Sequence, residues 1–167
     1  PFELYDTDGQ KIKDSDFQGK YMLIYFGYTF CPDICPAALE NITATLKGIP
    51  QKTLDQIVPI FITIDPERDT LEFLKKYQTI YHPKIIMLRG TFEQTETVKK
   101  NYRVYGEKTI PIAGQKEYLI DHSSIIYLMG KKGEFLLHFS HETSPLEMIN
   151  KINEVVTDPQ MINEVNE

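Results

Sequence analysis

The chain has 167 residues, a formal net charge of −6 and only two cysteines. That length fits one domain able to bury a core without covalent help. An acidic balance with no Lys/Arg-rich block argues against nucleic acid, whose binding rests on cations neutralising phosphates. The longest strongly apolar run, Tyr21 to Phe26, is far too short to cross a bilayer, and no secretory signal pattern is present.

In chain order, Phe2 to Tyr5 alternates like a short strand, Asp6-Thr-Asp-Gly9 reads as a turn, and Gln10 to Lys13 returns as its hairpin partner. Tyr21-Met-Leu-Ile-Tyr-Phe26 is continuously apolar, the pattern of a strand buried on both faces. Leu39, Ile42, Thr43 and Leu46 recur at helical spacing until Gly48 and Pro50 stop the helix, and a second buried strand follows at Ile57 to Ile64. Asp69-Thr-Leu-Glu72 is predicted to be a capping box opening a helix that carries Leu71, Phe73, Leu74 and Tyr77.

Ile85 to Leu88 reads as a short strand and Phe92 to Tyr102 as a helix. The polar stretch Gly106 to Glu117 is predicted to be a long surface loop, with a short strand at Tyr118 to Ile120. Ser124 to Met129 and Glu134 to Phe139 flank Gly130-Lys-Lys-Gly133 as a hairpin, and Leu146, Ile149, Ile152 and Val156 mark a last amphipathic helix. Residues 1–157 thus read as one domain and 158–167 as a frayed tail. Strands alternating with helices, then a hairpin and a helix, predict an α/β thioredoxin-like three-layer sandwich with an added N-terminal β-hairpin.

Both cysteines lie in Gly27-Tyr-Thr-Phe-Cys-Pro-Asp-Ile-Cys-Pro36, each followed by proline. A Cys31–Cys35 bridge would close a tiny loop and contribute little stability, so a staple is the weakest reading. The segment falls between a buried strand and a helix start, where open α/β sheets carry their sites. Helix-start amides favour thiolate, which is both the nucleophile and the metal-binding form. Three residues separate Cys31 from Cys35, where thiol-disulfide oxidoreductases usually have two. Residues four apart on a helix-like turn share a face about 5–6 Å apart, so the sulfurs can grip one ion or oxidise together. Metal-binding and redox readings both stand.

A third ligand must come from elsewhere. His82 precedes Pro83 and reads as a surface loop residue; His138 faces away from Phe135, Leu137 and Phe139; His141 falls just past that strand. His122, in Tyr118-Leu-Ile-Asp-His-Ser123, lies where a long loop meets a core strand and a thioredoxin-like chain returns to its cysteine loop. Two thiolates and an imidazole suit Cu(I), tolerate Cu(II) and also bind Zn(II). A structural zinc would want a fourth protein ligand, which favours copper.

The cysteine segment, with Asp65-Pro-Glu-Arg-Asp-Thr70 and Tyr118 to Ser123, closely resembles the SCO/SenC family of copper chaperones for cytochrome c oxidase assembly. The resemblance runs from Phe2 through the final helix, with Leu71 standing where the family often has proline. It implies copper ligands at Cys31, Cys35 and His122. It also implies a domain tethered to the inner membrane by a preceding anchor, facing the bacterial periplasm or the mitochondrial intermembrane space. Its partners would be a copper donor and cytochrome c oxidase subunit II, whose CuA centre it would supply with copper directly or by reducing that subunit's cysteines. A start at Pro1 agrees with a trimmed or processed chain. The leading expectation is a metallochaperone rather than an enzyme. The rivals are a thiol-disulfide oxidoreductase with Cys31 and Cys35 as its redox pair, a peroxidase, and a copper or redox sensor switching through the Gly106 to Glu117 loop.

The remaining motif residues have blander expectations. Asp65 reads as part of an Asp-Pro turn and Asp69 as an N-cap, while Arg68 is placed to pair with a nearby carboxylate or dock a partner. Asp121 neighbours His122 in an extended segment and points away from it, so it cannot readily orient that ring. Asp33, between the cysteines, reads as a stabiliser of the helix start or a docking contact, with a charge that opposes thiolate formation somewhat. Tyr28 and Phe30 read as loop anchors or a contact rim.

Overall fold

The computed structural model describes residues 1–29, 34–104, 106–108, 120–122 and 125–157, with the backbone alone at 34–35, 106–108 and 120–122. Strand β1 (Glu3–Tyr5) pairs antiparallel with β2 (Lys11–Lys13) across the predicted turn. The Asp6 carboxylate accepts from the amides of Asp8 and Gln10, which holds that turn. Strand β3 (Tyr21–Gly27) and strand β4 (Ile57–Thr63) are buried at every position, as their unbroken apolar runs require of parallel strands covered on both faces.

Helix α1 (Ile34–Gly48) connects them, followed by the single turn α2 (Gln51–Leu54). Helix α3 (Leu71–Gln78), strand β5 (Ile86–Leu88) and helix α4 (Phe92–Asn101) come next. Two short strands, β6 (Gly106–Lys108) and β7 (Ile120–His122), form an antiparallel ladder of their own. The chain ends in the hairpin β8 (Ile125–Met129) and β9 (Phe135–Ser140) and in helix α5 (Pro145–Thr157).

The main sheet runs β5-β4-β3-β8-β9, with β3, β4 and β5 parallel and the terminal hairpin antiparallel. Right-handed crossovers from β3 to β4 and from β4 to β5 place α1 and α3 on one face, where α5 packs against α1. Tyr77 of α3 meets Phe61 of β4 on that side. The return from β5 to β8 carries α4 across the opposite face. There Tyr102, just past α4, meets Phe26 of β3, and Leu4 of the N-terminal hairpin is 1% exposed. The three-layer sandwich and added hairpin are as expected.

Two local expectations fail. Thr70, not Asp69, caps α3: its hydroxyl accepts from the Phe73 amide, while Asp69 turns into the core. The stretch Gly106 to Glu117 is not all loop, since Gly106–Lys108 is strand β6. Ladder pairing with β7 makes that strand, and a Gly-Glu-Lys sequence has no β pattern to advertise it. Residues 109–119 and the predicted tail 158–167 lie outside the described residues. No helix among the described residues is long and apolar enough to cross a membrane.

Candidate metal centre

Helix α1 begins at Ile34, so Cys35 occupies its first turn, where amides without intrahelical partners point outward. No acidic residue stands in that turn to offset the positive end of the helix dipole. Pro36 is tolerated there because its missing N–H would have had no helical acceptor. Buried Ala38 and Leu39 seat the helix on the sheet one turn later. Cys31, Asp33 and Phe30 lie outside the described residues.

The β3–β8 ladder pairs Tyr25 with Ile126, which puts the start of β8 at the carboxyl end of β3, where the cysteine segment departs. His122 ends β7, paired with Gly106, three residues before β8 begins. A chain that short spans about 10 Å at most. The fold therefore carries chain position 122 to the same end of the sheet as Cys35. Asp121 pairs with Glu107 in the same ladder.

The other histidines stay apart from this end or are otherwise engaged. His82 is half-buried, donates its amide to Thr43 Oγ1 and accepts from the Lys84 amide at Nδ1. Burial, then the charges of Lys47 and Lys84, hold its pKa down. His138 is exposed on β9 as expected, but it stacks on Phe135 instead of facing away from it, where the β8–β9 register shifts at Leu128/Met129 and breaks the simple alternation. The carbonyl of His141 accepts from Asn41 Nδ2 of α1. Among the described residues, no group of three or more His, Cys, Asp or Glu side chains is placed to hold a metal ion.

What sequence reading missed is the support beneath the cysteine segment. Asp69 is fully buried, and its Oδ2 accepts from the Thr29 amide at 3.0 Å and from Thr63 Oγ1 at 2.5 Å. Its Oδ1 accepts from Thr29 Oγ1 at 2.5 Å. Burial raises the Asp69 pKa, opposed by the hydrogen bonds from Thr29 and Thr63. Beside it, Arg68 pairs with Asp65 at 2.5 Å, as expected of a nearby carboxylate, and stands 5.7 Å over the Tyr28 ring. Arg89 donates from Nε and Nη2 to the Pro66 carbonyl, tying the same turn to β5. No pattern announces these pairings, because Thr29 and Asp69 are 40 residues apart.

A cavity of about 530 Å³ lies elsewhere, lined by Tyr102, Arg103, Tyr127, Met129 and Phe135. Met129 pairs with Met22 near the start of β3, so this cavity is at the end of the sheet opposite the cysteine segment. It adds nothing to the candidate centre.

The sequence profile of the SCO1/SenC family matches residues 1–157. The chain belongs to the SCO1/SenC family. Its relatives include an SCO2-like protein of Rickettsia prowazekii, 41% identical over 149 residues that cover 89% of this chain and 72% of that protein. Human mitochondrial SCO1 homolog is 42% identical over 140 residues, covering 83% of this chain and 46% of that protein. The chain thus spans about half the length of its mitochondrial relatives. Among solved structures, copper-bound yeast Sco1 matches with a TM-score of 0.86 at 36% identity, covering 95% of this chain and 87% of that one. Copper-bound Bradyrhizobium japonicum ScoI matches at 0.83 and 37% identity, covering 92% and 96%. The SCO1/SenC fold of this chain is thioredoxin-like, and both of these relatives carry copper.

Proposed function

We propose that this SCO1/SenC chain carries copper, holding one ion through Cys31, Cys35 and His122, and passes it to an acceptor such as the CuA site of cytochrome c oxidase subunit II. The observation that carries the reading is the return of the chain at His122 to the end of β3 from which the cysteine segment leaves. Copper-bound relatives of the same fold support the choice of ion.

The donor set fits that cargo. Thiolate at Cys35 is favoured by the first-turn amides of α1, and two soft sulfurs with one imidazole suit Cu(I). Three ligands leave a coordination position open. An acceptor thiolate can join there before one of the original ligands departs, so the ion need never be free. A membrane tether ahead of the domain, facing the periplasm or the intermembrane space, would bring it beside a membrane-bound acceptor and a copper donor.

Titration of the reduced protein with Cu(I) against a competing chelator tests the assignment. One tight site per chain, weakened by each of Cys31→Ser, Cys35→Ser and His122→Ala, is expected. Weak binding, or binding indifferent to His122, would overturn it and favour a thiol-disulfide role for the cysteine pair.

A further inference from the structure

Thr29, two residues before Cys31, is gripped from below, and Ile34, the residue before Cys35, already belongs to α1. Whatever path the chain takes between them, two residues from Thr29 reach at most about 7 Å, so the position of Thr29 bounds that of Cys31. Thr29 is held at two points. Its amide and its hydroxyl both donate to Asp69, and Thr63 at the end of β4 donates to the same carboxylate. That carboxylate is fully buried, directly before α3. It therefore couples three elements at one point: the end of β3, the end of β4 and the turn leading into α3.

We infer that Asp69 is a positioning residue for the cysteine pair, setting through Thr29 where Cys31 stands relative to Cys35 on α1. The inference rests on the copper-carrying reading only for its consequence on copper; its effect on the geometry of the two sulfurs is independent of any metal. The action of Asp69 is to remove the slack that would let Cys31 drift from Cys35. Losing the hydrogen-bond partner of a metal ligand commonly costs about 10- to 100-fold in affinity, and Asp69, acting one step further back through Thr29, is expected at the lower end of that range.

Asparagine is the informative replacement. Its carbonyl oxygen can take the place of Oδ2, accepting from the Thr29 amide and the Thr63 hydroxyl, while its amide donates to Thr29 Oγ1 in a flipped hydroxyl orientation. Asp69→Asn thus keeps the grip without the charge, and Asp69→Ala removes both. Thr63→Val deletes one of the three hydrogen bonds to Asp69, together with the bond its hydroxyl accepts from the Asp65 amide, and is the milder variant should the alanine variant fold poorly. Thr53→Val, which loses a partly buried hydrogen bond to Asn153 far from the cysteine segment, controls for stability alone.

Two measurements read the result. In Cu(I) competition, Asp69→Ala should bind about 10-fold or more weakly, Thr63→Val severalfold, and Asp69→Asn within about threefold of the parent. In equilibrium with reduced and oxidised glutathione, the Cys31–Cys35 disulfide constant should move in the same order, with no copper present. Thr53→Val should move neither. The inference is overturned if Asp69→Ala and Thr63→Val match the parent in both assays, if Thr53→Val moves them equally, or if Asp69→Asn behaves like Asp69→Ala, which would make the charge and not the grip the active feature. If the parent chain itself fails to bind Cu(I) tightly, the copper reading falls, and the glutathione equilibrium still decides the role of Asp69.

Discussion

Arg68 Nε donates to Asp65 Oδ2 at 2.5 Å, and the carboxylate side chain is 1% exposed against 15% for the guanidinium. The pair closes the turn that follows β4. Removing one partner of a buried pair strands the other charge, whereas removing both can be nearly neutral. Arg68→Met should therefore destabilise the fold by about 3 kcal/mol, and the Asp65→Asn/Arg68→Met double variant by less. Urea denaturation of the three proteins checks this, and equal losses for single and double variants would refute it.

The helix cap one residue past Asp69 can be separated from the grip on Thr29. Thr70→Ala removes the hydroxyl that accepts from the Phe73 amide and should cost about 1 kcal/mol. Its Cu(I) affinity should match the parent, because Thr70 caps α3 without holding the cysteine segment. A large loss of affinity in this variant would show that α3 as a whole, and not Asp69, sets the cysteine geometry.

Burial raises the Asp69 pKa above its usual 3.8, so the folded chain holds that proton more tightly than the unfolded chain does. Stability from this group is then fully present below the unfolded pKa and is lost as pH rises through the folded pKa. Asp69→Asn removes the slope. Relative to the parent, the variant should gain stability as pH rises from about 4 through the raised pKa and then level off. Chemical denaturation across pH 4 to 7 reads it, and a constant difference would contradict the direction of the shift.

Gly90 is set by space rather than by torsion. A Cβ there would come within 2.6 Å of Leu4 Cδ2 and 2.9 Å of Gln94 Cβ, and Leu4 is 1% exposed with little room to retreat. Gly90→Ala should cost about 1–3 kcal/mol by overpacking. Leu4→Ala should cost about 2–5 kcal/mol by leaving a cavity. Because the added methyl group occupies part of that cavity, the double variant should lose less than the two costs summed. Additive losses would mean that the N-terminal hairpin does not pack on Gly90 as described.

Much of this molecule was legible in the sequence because the relevant signals are local. The apolar runs of β3 and β4 have to be buried on both faces, the Gly-Lys-Lys-Gly turn has to reverse β8 into β9, and a helix has to start beside Cys35 once Pro36 and the periodic residues follow it. The family resemblance was carried by short motifs of the same local kind, and the profile match over residues 1–157 bears it out. Where propensity is silent the sequence does not mark the element: Gly106–Lys108 is a strand through its ladder with β7, an interaction that its own residues do not encode. Asp69 read as a cap because Asp before a helix usually is one, and Thr70 was free to take that role. Only the tertiary structure turned Asp69 inward, since burying a carboxylate requires donors, and its donors Thr29 and Thr63 end two different strands brought together by the parallel pairing of β3 with β4. Sequence by itself determined which residues carry thiol and imidazole donors, because that is side-chain identity, and the sheet register decided which distant residues meet at the Asp69 carboxylate.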